Sequence, residues 1–265
     1  MKRFCLVGAV ALLAMGCAHK SLSVSALDSI QRPAFVGRIL KDAGPKATVF
    51  TDDASFKEGL KRLTPAEGNR RLANWLSQGL PPQELSDGLR SRTMSRLEHS
   101  APYRFAADPS RVARALGIFL TQDETGAKPN YQALAELDVD SVVEVVIEEY
   151  GVRSANGKLR FWVKGNGRMF RLKGGSVLWK QSFHAEEEET GLPVTDPFIM
   201  AKDPSMFRNR IHWILDTVAQ KFAEELLPGQ RALLSAPRQE SSPVVLPPAH
   251  TPPASRRLVD EDDPL

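Results

Sequence analysis

Hydrophobic positions along this 265-residue chain change their spacing several times, and each change marks an element. The chain opens on Met1-Lys2-Arg3 and then runs uncharged over residues 4–16. Two short apolar runs, 34–40 and 47–50, read as strands around an Ala43-Gly44-Pro45 turn. Residues 54–63 and 65–76 read as helices, the second with Thr64 as N-cap, Pro65 in its first turn and Gly79 just past its end. Residues 81–99 read as a further helix with Leu85, Leu89, Met94 and Leu97 on one stripe. Residues 103–106 are expected to form a strand. Asp108-Pro109 opens a helix with Val112, Leu116 and Phe119 on one side, and 130–137 is a last short helix before the pattern changes.

From Asp140 the spacing becomes that of strands. Val142, Val143, Val145, Val146 and Ile147 crowd residues 140–152, apolar on both faces at the centre, as in an inner strand. Asn156-Gly157 is a hairpin signal. Residues 158–172 alternate, with Leu159, Phe161 and Val163 against Arg160, Trp162 and Lys164, and Gly165 and Gly167 predict a bulge or bend. Lys173-Gly174-Gly175 is a second turn. Residues 176–186 alternate again, with Val177, Trp179 and Phe183 on one face and Lys180, Ser182 and His184 on the other. Three antiparallel strands therefore run in succession. Residues 204–227 carry Phe207, Ile211, Leu215, Val218, Phe222 and Leu226 at helical spacing, and Pro228-Gly229 ends them. The order predicts an α/β (α+β) domain: a mixed sheet ending in a three-strand antiparallel meander, helices on one face and a long C-terminal helix.

Cysteine usage changes the picture more than any other count. The two cysteines are Cys5 and Cys17, so nothing after Cys17 can form a disulfide, a thiolate metal site or a cysteine nucleophile. Residues 4–16 are too few to span a bilayer but suit a signal-peptide core behind a basic start. Leu13-Ala14-Met15-Gly16-Cys17 resembles the lipobox of bacterial lipoproteins, in which a small residue precedes a cysteine that is lipid-modified and becomes the new N-terminus. That pattern has Leu three places before the cysteine; here Ala14 stands there, with Leu13 one step further back. Ala14-Met15-Gly16 also reads as an ordinary secretory cleavage site. The resemblance implies cleavage between Gly16 and Cys17 and a lipid on Cys17. By the sorting rule of that family, Ala18-His19 in place of an aspartate implies the outer membrane, periplasmic face. Residues 17–33 are then lipidated cysteine and tether, 34–229 one domain, and 230–265, with seven prolines and an acidic end, a disordered tail.

Residues 134–143, Leu-Ala-Glu-Leu-Asp-Val-Asp-Ser-Val-Val, followed by a hairpin and then Gly174-Gly175-Ser176-Val177-Leu178-Trp179, resemble a pattern of periplasmic lipoproteins. A helix there ends in a small-residue segment leading to a central strand, and a glycine turn opens a later one. The resemblance covers about residues 80–227. It is to the group holding curli-secretion (CsgG-like) lipoproteins, penicillin-binding-protein activators and the N-terminal domain of the Tol–Pal β-propeller protein. It implies a non-enzymatic envelope domain that oligomerises or docks on another envelope protein.

Motifs of reaction chemistry are few. The stretch 151–159 has five residues between its glycines and Leu159 where a phosphate loop needs Ser or Thr. The five histidines (His19, His99, His184, His212 and His250) are scattered, and His184 with Glu186 gives two metal ligands at most. Residues 186–189 are four glutamates, read as a solvated strand end or loop, with a partner-facing acidic patch as the sharper alternative. No Gly-x-Ser-x-Gly elbow occurs. Glu144 and Glu148 share a strand face about 13 Å apart, too far for one bond, and the better reading is an edge of the sheet face left uncovered or a salt bridge with Lys or Arg from a neighbouring strand. Composition is globular, 42% hydrophobic and 25% charged, and the net charge of +3 gives no footprint for nucleic acid. The segment from Lys57 to Arg114 holds eleven basic against six acidic residues, read as solvated helix faces or a contact for anionic headgroups.

These features predict a lipid-anchored, non-enzymatic envelope lipoprotein without cofactor or metal. Its partners are the membrane, through lipid on Cys17, and another envelope protein or a second copy of itself, with no nucleic acid. The alternative is an oligomeric outer-membrane secretion-channel component, for which 158–172 and 176–186 are the only candidate membrane strands. An envelope hydrolase is the third reading.

Overall fold

The valine-rich run at 140–152 becomes the inner strand of one mixed sheet. The structure is a computed structural model and describes residues 19–50, 63–117, 129–155, 158–187 and 203–229. In chain order the elements are α1 (Val24–Asp28), β1 (Pro33–Ile39), β2 (Lys46–Thr48), α2 (Pro65–Gly79), α3 (Pro82–Leu97), α4 (Pro109–Leu116), β3 (Ser141–Ala155), β4 (Lys158–Arg171), β5 (Val177–Glu186) and α5 (Pro204–Leu226). Short 3-10 turns occupy Tyr103–Phe105 and Tyr131–Leu137. The expected helix at 54–63, Phe119, Asn156-Gly157 and the tail 230–265 lie outside the described residues, the helix but for Leu63.

β3, β4 and β5 form the expected antiparallel meander. β1 and β2 both lie parallel on the other side of β3, Pro33 opposite Ser141 and Lys46 opposite Gly151. They are two lengths of one interrupted edge and do not pair with each other. The interruption is held by Leu40 N–H to Ile147 O and Tyr150 N–H to Ala43 O, at 3.0 and 2.9 Å. It falls where β3 itself slips register against β4, between Ile147 and Glu149.

The bulge adds Glu148 to β3 at its pairing with Gly165 and Lys164, beside the expected Gly165, whereas Gly167 stays in register. Both glycines also serve packing. A Cβ on Gly167 would meet Trp179 and come within 2.9 Å of the Phe222 ring, and one on Gly165 would strike Phe183. Trp179 and Phe183 both pack edge-on against Phe222, with centroids 5.1 and 5.5 Å apart.

One face of the sheet carries the large core, in which Phe35, Val143, Val145, Phe161, Met169 and Trp179 meet α2, α3 and α5. Every residue of the predicted apolar stripe on α5 is buried. α3 crosses β1 closely, since a Cβ on Gly37 would run into the Ser86 backbone. Thr64 caps α2 by accepting the Glu67 N–H at 3.2 Å. Gly79 is the last residue of α2 and not past it, packed against Pro204 at the start of α5. The opposite face of the sheet is not bare. A smaller cluster of Val36, Val142 and Phe170 is covered by Val112 and Leu116 of α4 and by Leu134.

Two further expectations at the level of elements need correction. Residues 103–105 form a 3-10 turn and not a strand. Its amides bond locally, Phe105 N–H to Pro102 O and Ala106 N–H to Tyr103 O, while the Tyr103 hydroxyl donates to Leu226 O at 2.7 Å and closes the last turn of α5. Residues 19–33, expected as a tether, belong to the domain. Leu22, Leu27 and Ile30 are buried in the main core, and α1 is capped by the Ser23 side chain. The segment is short and lacks strand or helix spacing, but its three apolar residues supply enough buried surface to fix it.

Candidate functional site

Gly16 and Cys17, the cleavage and lipidation residues expected from sequence, lie outside the described residues. The structure does place the residues that follow. Lys20 pairs antiparallel with Lys180 of β5 through two backbone hydrogen bonds of 2.9 Å. His19 Nε2 is 3.0 Å from Glu225 Oε2 on α5, and the Trp179 indole donates to that same oxygen at 2.9 Å. The Lys20 ammonium also reaches Val177 O. The chain is therefore held to α5 two residues after Cys17 and to the sheet edge three residues after it, a feature with no signal in composition or spacing.

The strongest electrostatic arrangement is on the less covered sheet face. Glu144, 1% exposed, sits between Arg38 of β1 and Arg168 of β4. Arg38 donates to it at 3.1 Å, Arg168 pairs with its other oxygen, and the Tyr131 hydroxyl donates to the first. Burial pushes the carboxyl up, but the hydrogen bonds from Arg168 and Tyr131 and the charges of Arg168 and Arg38 outweigh it. The group is held below the ordinary carboxylate range. Burial, reinforced by the Glu144 charge, pushes the Tyr131 hydroxyl up. Glu144 is thus held ionised and Tyr131 protonated, the states that pair them. The salt bridge expected for Glu144 is present. Glu148 instead accepts from the Asn166 amide at 2.7 Å, so the two glutamates have separate partners.

Further along the same face, Lys46 pairs with Glu149 at 2.7 Å and Arg153 pairs bidentately with Glu186. The Trp162 ring stands edge-on to His184, centroids 6.1 Å apart. The glutamate run is not simply solvated. Glu187 is 8% exposed and pairs with Arg210 of α5, because the chain turns inward there and its N–H bonds Phe161 O at 2.9 Å. Much of the basic charge on the helices is paired as well: Arg71 with Glu67, Arg96 with Asp216, and Arg208 with Glu84. His212, beside Glu84, is pushed down by burial and by the charges of Arg92 and Arg208, against the pull of Glu84. Tyr150 lies in the core with its hydroxyl unpartnered, and burial pushes that hydroxyl up to about 12. Among the described residues no group of three His, Cys, Asp or Glu is placed to hold a metal ion, and no helix is long and apolar enough to cross a membrane.

No family model and no curated protein matches the chain. Among solved structures it is similar to the lipoprotein GNA1162 from Neisseria meningitidis, at 12% identity and a TM-score of 0.35, covering 68% of this chain and 99% of that one. It is similar to the hypothetical protein CT253 from Chlamydia trachomatis, at 11% identity and a TM-score of 0.29, covering 76% and 99%. It is also similar to the PelC dodecamer from Paraburkholderia phytofirmans, at 8% identity and a TM-score of 0.31, covering 75% and 91%. All three are distant likenesses.

Proposed function

We propose that the protein is a lipid-anchored, non-enzymatic lipoprotein of the outer membrane, facing the periplasm, that works by protein–protein contact in envelope assembly, secretion or cell-wall-enzyme regulation. The observation that carries this reading is Cys17, directly after the uncharged run 4–16 and two residues before the first contact with the domain. Several acyl chains on one N-terminus, each buried methylene contributing about 0.8 kcal/mol, hold a domain on a membrane almost permanently. The sheet carboxylates Glu144, Glu149 and Glu186 are engaged in structural pairs, which supports a contact surface over a reaction site. The alternating runs of β4 and β5 bury Phe161, Met169 and Trp179 under the helices, which supports an adaptor over a channel component whose strands enter the bilayer.

Metabolic labelling with palmitate tests the anchor. The wild-type chain takes up label and the Cys17→Ala variant takes up none. Equal label in both overturns the reading.

A further inference from the structure

The chain joins the domain at one edge of the sheet, and this fixes more than an attachment point. β5 has β4 on one side; on the other, Lys20 satisfies the backbone of Lys180. In this antiparallel bridge the backbone leads from Lys20 through His19 in the direction of Gln181 and Ser182. His19 is held to Glu225 of α5 at 3.0 Å. Successive Cα atoms across trans peptides are 3.8 Å apart, so Cys17 lies within about 8 Å of His19. A lipid on Cys17 leaves no leash on which the domain could turn away from the bilayer.

The charge on this edge matches that placement. Lys20 and Lys180 are neighbours across the bridge, and Lys221 is exposed one helical turn before Glu225 on the same stripe of α5. Two carboxylates stand beside them, both less exposed than Lys20 and Lys221. Glu225, 16% exposed at its side chain, faces His19 and the Trp179 indole, and Glu224 accepts from the Gln220 amide at 2.9 Å. The exposed charges beside the point of attachment, Lys20 and Lys221, are both cationic, which suits anionic phospholipid headgroups.

We infer that the β5 edge, with Lys20, Lys180 and Lys221, is a membrane-facing surface that seats on anionic phospholipid headgroups and sets the anchored domain edge-on to the bilayer. The inference rests on the lipid anchor proposed above. It leaves the opposite edge of the sheet, at β1 and β2, pointing away from the membrane.

The full chain, produced with a palmitate label and reconstituted into vesicles of phosphatidylethanolamine and phosphatidylglycerol, tests it. A fluorophore is attached at Ser182→Cys or at Thr48→Cys, exposed positions on opposite sheet edges. Quenching by aqueous iodide is expected to be several-fold weaker at position 182 than at position 48. Lys20→Glu, Lys180→Glu and Lys221→Glu together should erase that difference while the protein stays on the vesicles. Equal quenching at both positions of labelled, vesicle-bound protein overturns the orientation and leaves the anchor standing. Absence of palmitate label overturns the anchor and the orientation with it. Protection of position 182 in detergent without vesicles, with a doubled mass by light scattering, assigns the edge to a second copy and overturns the lipid assignment.

Discussion

Glu144 shows how a single residue can be indispensable without reacting. It has two guanidinium partners and a tyrosine hydroxyl in a site closed to solvent. Removing one member of a buried pair leaves uncompensated charge behind, so Glu144→Ala should cost about 3–5 kcal/mol in a urea titration. Its carboxyl titrates lower in the folded chain than its ordinary value of 4.5. The stability it contributes is therefore complete above that value and is lost as pH falls through it toward the folded-state value. Urea midpoints measured from about pH 6 down to about pH 3 should fall more steeply for the wild type than for Glu144→Gln. Tyr150 is the converse case. Its hydroxyl is buried without a partner, so Tyr150→Phe should be neutral or stabilising by about 1 kcal/mol by the same titration.

At the scale of elements, close approach of backbone to ring decides what β4 tolerates. Gly167→Ala forces a methyl against Trp179 and Phe222 and should cost about 1–3 kcal/mol in thermal or urea unfolding. Made in a Trp179→Leu background, the same substitution should cost less than in the wild type, because the ring is what the methyl meets. Period-two alternation made β4 and β5 readable in advance, and three- and four-residue spacing did the same for α5, since in each a single face is buried over many residues. Where one side chain decides the local structure, the spacing carries no such signal. Tyr103 sits in a run that looks like a strand, yet its hydroxyl bonds the end of α5 from a tight turn. Glu144 could be read as salt-bridged from its place among valines. Arg38, more than a hundred residues away, could not be named as its partner until β1 lay beside β3. The burial of Glu187 leaves no such sign, because like charges in a row look solvated and Arg210 is twenty-three residues away.

At the scale of the whole molecule, the segment between the anchor and β1 is part of the fold. Leu22, Leu27 and Ile30 each bury a side chain worth about 1.5–3 kcal/mol against exposure. A chain lacking residues 18–31 should lose several kcal/mol by chemical denaturation, where a passive leash would lose nothing. The parallel pairing of β1 with β3 has a further consequence for how the molecule comes into being. β3, β4 and β5 are neighbours in sequence and can assemble as soon as they exist, whereas Pro33 meets Ser141 only across more than a hundred intervening residues. A chain that emerges N-terminus first presents Phe35, Val36 and Ile39 long before their partner strand is made. For that interval β1 is a naked apolar strand with nothing to close on, and its safety rests on chaperones or on speed.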